Sequence, residues 1–324
     1  MSKIKVKSLD AAKGVLIKDG NTGTYKGELF RCIKSTVKHS WSGWLLLIPF
    51  FFLMIFLLWK PLIMGIYWSF FEMKGYVVGE FCGLKNYITV MSDTAFLQTL
   101  GNCIKYVIWS LIIGYMIPVV LSIVFNELVH LNKFITFSIY FPSLVPGMAV
   151  ALLWYYVFFP NMTGLLNQML SIFNIAPKTW LQNSDWTIML IVLTATWEGF
   201  GKTTLFYMAN LQSINQELFE AAMLDGAGIL HRVKYVTMPY LYPTMLLFFV
   251  NQCKGLFCMF EKPWVMTGGG PNGASMTLAL KSYYYAFNDF RVGESLAVGV
   301  ITFVILLTLT FVYKYIEKRN SYEL

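Results

Sequence analysis

The sequence predicts an all-α protein that crosses a membrane about six times. Of its 324 residues, 57% are hydrophobic and only 13% are charged, and the mean hydropathy is +0.58. A soluble domain carries about 25% charged residues. Six apolar runs also reach the length of about twenty residues that a spanning helix needs. These runs cover residues 44–69, 102–128, 134–159, 186–210, 242–260 and 296–315.

Each apolar run is expected to form one span, although several contain proline. A packed helix bundle tolerates such prolines because neighbouring groups satisfy the freed backbone carbonyls. The chain therefore divides into a basic tail (1–43), a transmembrane domain (44–316) and a short tail (317–324). The prolines are Pro61, Pro118, Pro142 and Pro146.

The distribution of lysine and arginine predicts the orientation. Most of the 25 basic residues lie in the tail 1–43, near the C-terminus, or between the fourth and fifth runs. Cytoplasmic segments carry an excess of Lys and Arg, so both termini and the segment 216–239 are predicted to be cytoplasmic. The first forty residues lack the apolar core of a signal peptide, and none is expected to be removed.

The basic tail contains one segment, 29–37, that is predicted to form a helix on the membrane surface. A basic amphipathic segment of this kind binds anionic lipid. A solvated tail without lipid contact fits the same residues equally well, and both interpretations remain open.

The stretch from Glu220 to Pro243 is predicted to form a water-facing helix, a turn and a second helix. Glu220, Ala221 and Ala222 are good helix formers. Asp225-Gly226 offers a turn, because glycine adopts positive φ without steric cost. The second, basic helix is expected to stop at Pro239. A helix exposed in this way on a membrane protein indicates a binding surface for a partner.

This stretch also resembles the EAA loop of bacterial ABC importer permeases. The matching residues are Glu220-Ala221-Ala222, Gly226, Val236, Met238 and Pro239. Further segments resemble the carbohydrate-importing branch, which includes the maltose, multiple-sugar and glycerol-phosphate permeases. They are Gly-Leu-Lys-Asn-Tyr at 83–87, Gly-Leu-Leu-Asn at 164–167, Leu-Gln-Ser-Ile at 211–214, Thr-Gly-Gly-Gly-Pro at 267–271 and Tyr-Tyr-Ala-Phe at 284–287.

The resemblance implies a type I importer transmembrane domain in the bacterial cytoplasmic membrane. Its expected partners are a second, homologous permease, two cytoplasmic ATPase subunits and an extracellular solute-binding protein. The segment 216–239 would lie in a cleft of an ATPase subunit. The coupling residues would be Glu220, Ala221, Ala222, Asp225, Gly226 and Pro239.

No catalytic or nucleotide-binding group is predicted in this chain. Residues 199–204 look like part of a phosphate-binding loop, but Thr196 stands where that loop needs glycine, and no strand precedes it. The three histidines, His39, His130 and His231, are far apart. We therefore expect no cofactor, no metal and no nucleic-acid partner, with ATP and Mg²⁺ used by the partner ATPase.

The solute path is predicted from ionisable residues within the spans, which usually face a cavity or a partner. Glu198 and Lys202 have the i, i+4 spacing of an ion pair on one helix face. By resemblance to the maltose permease, two spans would line the path. The predicted residues are Ala195, Glu198, Gly199 and Lys202 on the fourth run, and Asn251, Gln252, Lys254, Gly255 and Met259 on the fifth.

Two interpretations of these polar residues stay open. In one, a Glu198–Lys202 ion pair only stabilises helix packing. In the other, the polar groups recognise sugar hydroxyls or a carboxylate, and Lys202 with Lys254 would suit an acidic sugar.

The expected function is that of a permease subunit for a sugar or oligosaccharide. The same machine could carry a charged small solute such as glycerol phosphate. A membrane-embedded enzyme would need a cluster of catalytic His, Asp or Ser residues. An ion-coupled transporter would show an inverted repeat with paired broken helices, and the sequence contains no convincing repeat.

Overall fold

The computed structural model describes residues 41–128 and 133–320. The predicted tail helix at 29–37 therefore lies outside the described residues. The described chain forms two compact units, divided between Met64 and Gly65. Helix α1 (Trp41–Leu53) and the π-helical turn Met54–Trp59 belong to the first unit, and α2 (Lys60–Trp68) follows them and continues past Met64 into the second.

The second unit continues with a hairpin and then a long helix. The hairpin strands are β1 (Phe71–Lys74) and β2 (Val77–Phe81), paired antiparallel. They are followed by α3 (Lys85–Ser92), α4 (Thr94–Trp109), a π-helical turn (Ser110–Tyr115) and α5 (Met116–Leu128).

The middle of the second unit contains a sharply bent pair of helices and a helix of 28 residues. Helix α6 (Lys133–Tyr140) leads through the 3₁₀ turn Phe141–Leu144 to α7 (Gly147–Val157). Then come α8 (Leu165–Ile172), a 3₁₀ turn (Trp180–Gln182) and α9 (Ser184–Leu211).

The last third carries the predicted cytoplasmic segment and the final span. Helix α10 (Gln216–Leu224) is followed by α11 (Ile229–Arg232), a π-helical turn (Val233–Thr237) and α12 (Met238–Phe257). Next are α13 (Glu261–Thr267), α14 (Leu278–Tyr283), a π-helical turn (Tyr284–Asn288) and α15 (Val292–Asn320).

The predicted helical membrane protein is confirmed, but not every run is one straight span. Three helices of the described chain are long and apolar enough to cross a membrane: Leu45–Trp68, Thr94–Glu127 and Val292–Lys318. The third run instead forms a pair bent by 92°, Phe134–Leu144 and Gly147–Val157. The fifth forms a pair bent by 45°, Ile229–Phe257 and Glu261–Thr267. These two runs are therefore each broken by a bend instead of forming one straight helix.

Helix α9 corresponds to the fourth run and lies at the centre of the second unit. Its 28 residues extend over about 42 Å at 1.5 Å per residue. It does not reach the hydropathy of the three spans above, because Glu198, Lys202 and several threonines interrupt its hydrophobic residues. Thr194, Thr196 and Thr204 each donate a hydrogen bond to the carbonyl four residues earlier. These buried hydroxyls are therefore satisfied within the helix itself.

The small hairpin was not predicted from the sequence. Phe71 pairs with Phe81 across it. The Asn86 amide anchors it by donating to the carbonyls of Ser69, at 2.8 Å, and of Phe71, at 2.9 Å. A strand pair this short has little hydrophobic periodicity, and the all-α prediction missed it for that reason.

Hydrophobic clusters of buried residues join α9 to its neighbours at two levels. One contains Tyr106, Ile191 and Leu256 and connects α4, α9 and α12. Another contains Tyr207 and Leu241, together with Val119 of α5. These contacts hold α9 and α12 side by side, and a cavity lies between them.

Candidate functional site

An open cavity of about 380 Å³ lies along α9 and α12, at the level of the π-helical turn after α4. Its walls combine apolar, hydroxyl and amide side chains with one lysine. The lining residues are Ser110, Val192, Ala195, Thr196, Gly199, Lys202, Thr203, Phe206, Phe248, Asn251, Gln252, Gly255, Leu256 and Met259.

Helical spacing places these residues on one face of each helix. Ala195, Gly199 and Lys202 follow the i, i+4, i+7 pattern of a helix face, as Asn251 and Gly255 do on α12. A Cβ atom added at Gly199 or Gly255 would meet no other group within 4 Å. The two glycines therefore leave the cavity open.

The cavity brings together most of the residues that the sequence predicted for the solute path. Two of the predicted residues, Glu198 and Lys254, are not among its lining residues. The predicted residues that do line it are Ala195, Gly199, Lys202, Asn251, Gln252, Gly255 and Met259. Their role in solute passage stays a prediction.

Of the two interpretations left open by the sequence, the one with a Glu198–Lys202 ion pair is wrong. Glu198 Oε2 lies 2.5 Å from the Nζ of Lys262 instead. Both side chains are mostly buried, with 23% of Glu198 and 13% of Lys262 exposed. Lys262 lies in α13, beyond the 45° bend that follows α12, and it contacts α9 through this ion pair. The local i, i+4 rule could not include this tertiary partner.

Two further groups, the Ser143 hydroxyl and the Glu261 carboxylate, lie close to Glu198. The Ser143 hydroxyl donates to the Glu198 carbonyl at 2.6 Å. A Cβ atom on Gly147 would lie 2.6 Å from Glu261 Oε2 and 3.3 Å from Glu198 Oε1. Both carboxylates therefore lie at the first residue of α7, where the positive end of the helix dipole favours negative charge.

The cytoplasmic segment predicted from the sequence forms a helix and a tight turn. Asn215 caps α10 by accepting from the Glu217 N–H at 3.1 Å. Gly226 then adopts a φ of +76°, which glycine accepts without strain. The Ala227 N–H donates to the Ala222 carbonyl at 2.9 Å and so satisfies the end of the helix.

The predicted coupling residues lie at the surface of this segment. Glu220, Ala221, Asp225, Gly226 and Pro239 are exposed, and Ala222 is half-buried. Apolar side chains are exposed beside them: Leu224 is 89% exposed and Leu230 is 83% exposed. An exposed apolar patch bordered by charged residues is typical of a protein–protein contact.

The second helix of this segment does not stop at Pro239, as the sequence analysis expected. It runs continuously from Ile229 to Phe257. The π-helical turn Val233–Thr237 comes directly before Pro239, which lies in the first turn of α12. Because the helix is continuous, Pro239 leaves one carbonyl of the preceding turn without its usual N–H donor, and that preceding turn is the π-helical one. The water-facing segment and the fifth run are thus one element.

An ion pair that the sequence analysis missed connects the N-terminal end of this helix to α5. Arg232 Nη2 lies 2.7 Å from Glu127 Oε2 near the end of α5, and the side chains are 15% and 7% exposed. Arg232 Nη1 also donates to the Ala227 carbonyl at 3.3 Å. In the sequence analysis, Arg232 was only one of the basic residues between the fourth and fifth runs that predict the orientation. A lone carboxylate at the end of an apolar run is the signal that could have suggested a partner.

The remaining candidate motifs show no catalytic arrangement in the described part of the chain. Residues 199–204 lie inside α9, so they do not form a phosphate-binding loop. Residues 41–128 and 133–320 contain no group of three His, Cys, Asp or Glu side chains that could hold a metal.

The described chain contains two bent helix pairs, a polar cavity and a solvent-exposed helical segment. These features are typical of a membrane transport subunit that works with partners. Residues 119–322 match the family described as "Binding-protein-dependent transport system inner membrane component", and the chain belongs to this family. The resemblance to importer permeases is therefore confirmed.

Three known proteins are similar to this chain over most of its length. The "Probable ABC transporter permease protein YurN" of Bacillus subtilis is 29% identical over 86% of this chain and 98% of its own length. The trehalose/maltose transport system permease protein MalF of Thermococcus litoralis is 28% identical over 84% of this chain and 92% of its own. A chain of a bacterial ABC transporter that imports alginate has a similar fold, with a TM-score of 0.75 and 21% identity over 89% of this chain and 98% of that chain.

Proposed function

We propose that this chain is a membrane-spanning permease subunit of an ATP-driven importer that moves a sugar or oligosaccharide across the bacterial cytoplasmic membrane. One observation carries the proposal. The helix Ile229–Phe257 begins at the exposed cytoplasmic segment and ends at the cavity. Between Ile229 and Asn251 it extends over about 33 Å. A displacement of the exposed segment therefore reaches the cavity wall through one continuous element.

The exposed segment is the docking surface for an ATPase subunit. Helix α10 offers Glu220 for a basic partner group, and the small Ala221 and Ala222 allow close approach. The turn at Gly226 sets the angle between α10 and the long helix. ATP-driven closure of two ATPase subunits would then tilt the long helix and change which side of the membrane the cavity faces.

The family and the open cavity both support the proposed partners of this chain. A second permease completes the path, because the cavity of this subunit is a groove rather than an enclosed chamber. A solute-binding protein delivers the sugar from outside, and the ATPase subunits supply hydrolysis. The charge bias places both termini and the segment 216–239 in the cytoplasm.

The sugar assignment rests on the relatives and on the chemistry of the cavity. Several relatives are named as permeases for trehalose and maltose, arabinooligosaccharides or multiple sugars. Amide, hydroxyl and aromatic side chains line the cavity, as suits a molecule with hydroxyl groups and apolar ring faces. A second candidate is glycerol phosphate, since a permease named for that solute is 29% identical over 75% of this chain and Lys202 lies in the cavity.

Co-purification tests the proposed function. The tagged chain is extracted from its native membrane in mild detergent, and its companions are identified by mass spectrometry. We expect an ABC ATPase and a second permease to accompany it, and Glu220→Ala to release the ATPase while the second permease remains. Recovery of the wild-type chain with the second permease but without any ATPase would contradict the proposal.

A further inference from the structure

The charges around the cavity do not balance. Glu198, the carboxylate nearest to Lys202 in sequence, is paired with Lys262 at 2.5 Å. Among the described residues, no carboxylate lies within ion-pair distance of the Lys202 ammonium. Lys202 is also the only charged side chain among the described residues that line the cavity. The cavity therefore carries one uncompensated positive charge.

An unpaired ammonium within a membrane-spanning region is costly, and such groups usually mark a solute or ion pathway. The salt bridge of Glu198 satisfies one charge and leaves the other available for a ligand. Lys254 does not add to this charge, because it is not among the residues that line the cavity. The expected pair of lysines is therefore reduced to one.

Polar groups beside Lys202 suit hydroxyl groups. Gln252 donates to the Ser110 hydroxyl at 2.7 Å, and Asn251 donates to the Leu247 carbonyl at 3.2 Å. Each amide uses its nitrogen in these contacts, so its carbonyl oxygen remains available to accept from a hydroxyl. Phe206 and Phe248 supply apolar surface in the same cavity.

We infer that the solute carries an anionic group, a carboxylate or a phosphate, that binds Lys202 while its hydroxyl groups contact Asn251 and Gln252. This inference rests on the proposed function and names the solute class for the same cavity. Lys202 acts as a specificity-determining residue: it favours an anionic carbohydrate over a neutral one of the same size.

Uptake by the assembled importer in proteoliposomes, with its cognate solute-binding protein, tests the inference. Three labelled probes are used: trigalacturonate for a carboxylate, sn-glycerol 3-phosphate for a phosphate, and maltotriose as a neutral sugar. The variants are Lys202→Met, which removes the charge, Lys202→Arg, which keeps it, and Lys254→Met, a matched control on the neighbouring helix.

We expect uptake of a carboxylate or phosphate probe by the wild type and a loss of about tenfold or more in Lys202→Met, as for a charged hydrogen bond. Lys202→Arg should stay within about threefold of the wild type, and Lys254→Met should be unchanged. The probe that is lost distinguishes a carboxylate from a phosphate. Any uptake of maltotriose should change less than about twofold.

Other outcomes overturn the inference. Uptake of maltotriose alone, or anionic uptake that Lys202→Met does not reduce, leaves the proposed function standing and removes the role of Lys202. An equal loss of charged and neutral probes, or a loss that Lys202→Arg does not restore, assigns Lys202 to packing or to the second permease. Exclusion of all three probes by the wild-type importer contradicts the proposed function itself.

Discussion

The Lys262 ammonium lies 2.5 Å from Glu198 Oε2, and this ion pair joins one helix break to the central helix α9. Lys262 follows the bend between α12 and α13. Ser143, in the break between α6 and α7, donates to the carbonyl of the same Glu198. The two bent elements are therefore fixed to α9 at one residue, beside the cavity.

Breaking this pair should destabilise the subunit. Lys262→Met leaves a mostly buried carboxylate without its partner, and we expect a loss of about 2 kcal/mol or more in the free energy of unfolding. Thermal unfolding of the purified importer in detergent measures the loss. The double variant Glu198→Gln with Lys262→Met should recover part of it, because no buried charge is then left unpaired. Additive losses in the double variant would show that the pair does not couple the two helices.

The turn after α10 should depend on the backbone of Gly226 and not on its surroundings. Gly226 has a φ of +76°, and a Cβ atom there would meet no other group within 4 Å. Gly226→Val should therefore cost about 1–2 kcal/mol from backbone strain alone. Gly226→Asn should cost less, because asparagine tolerates this conformation. Co-purification of the ATPase and uptake should both fall in the order Gly, Asn, Val.

Gly228 provides the matched control for this prediction. It lies two residues further on, with a φ of −66° and no group within 4 Å of an added Cβ atom. Gly228→Ala should leave ATPase binding unchanged. Equal effects of substitutions at both glycines would show that the positive φ of Gly226 is not what matters.

The ion pair between Glu127 and Arg232 should transmit movement from the exposed segment to α5. Its atoms are 2.7 Å apart and both side chains are mostly buried. Arg232→Gln should reduce sugar uptake at least about tenfold, while stimulation of ATP hydrolysis by the loaded binding protein changes less. A split between the two rates is the readout, because a merely misfolded subunit would lose both.

Lys234→Gln is the control for the Arg232 variant. Lys234 is exposed, and its ammonium lies over the Tyr235 ring at 5.0 Å without an ion pair among the described residues. It has the same charge as Arg232 and lies two residues away. If Lys234→Gln and Arg232→Gln lower uptake equally, net charge of the segment is the cause and the Glu127 contact is not.

Hydropathy predicted the position of the helices better than their shape. The second run was placed at 102–128, yet its helix begins at Thr94, where Asp93 caps it by accepting from the Ala95 N–H at 2.9 Å. The first turns of this helix are less apolar than the rest, so a hydropathy limit excludes them. Prolines at 142 and 146 were visible in the sequence, but the 92° bend between them depends on how α6 and α7 pack against α9.

The candidate site could be predicted where one helix face supplies it, and not where distant residues meet. The resemblance to the maltose permease placed Ala195, Glu198, Gly199 and Lys202 on the solute path, and all of these except Glu198 line one cavity. The partner of Glu198 was wrong because the i, i+4 rule considers only one helix. Arg232 and Glu127 are 105 residues apart, and nothing in either local sequence specifies that they meet.

Acid stability should depend on Asp93, the residue that precedes the second span. Burial raises the pKa of Asp93, but hydrogen bonds from the Tyr285 hydroxyl and the Ala95 N–H, with Lys281 nearby, outweigh burial and lower its pKa below the usual value. A lowered pKa in the folded state adds stability above the unfolded-state pKa, and this stability is lost as the pH falls through the folded-state value.

The measurement for Asp93 is acid unfolding of the purified importer below about pH 4, where a free aspartate becomes protonated. We expect Asp93→Asn to be less stable than the wild type at pH 7 and to approach it as the pH falls. Asp185→Asn, in the first turn of α9, serves as a control at another helix start. A constant difference between Asp93→Asn and the wild type at every pH would contradict the electrostatic explanation.

We propose above that a displacement of the exposed segment reaches the cavity wall through the continuous helix Ile229–Phe257. The most direct test is ATP-dependent sugar uptake by the reconstituted importer, measured together with ATP hydrolysis, for the wild type and Glu220→Ala. We expect uptake that requires ATP in the wild type, and a loss of about tenfold or more in Glu220→Ala with all subunits still expressed. Wild-type uptake that continues without ATP, or full uptake by Glu220→Ala, would contradict this proposal.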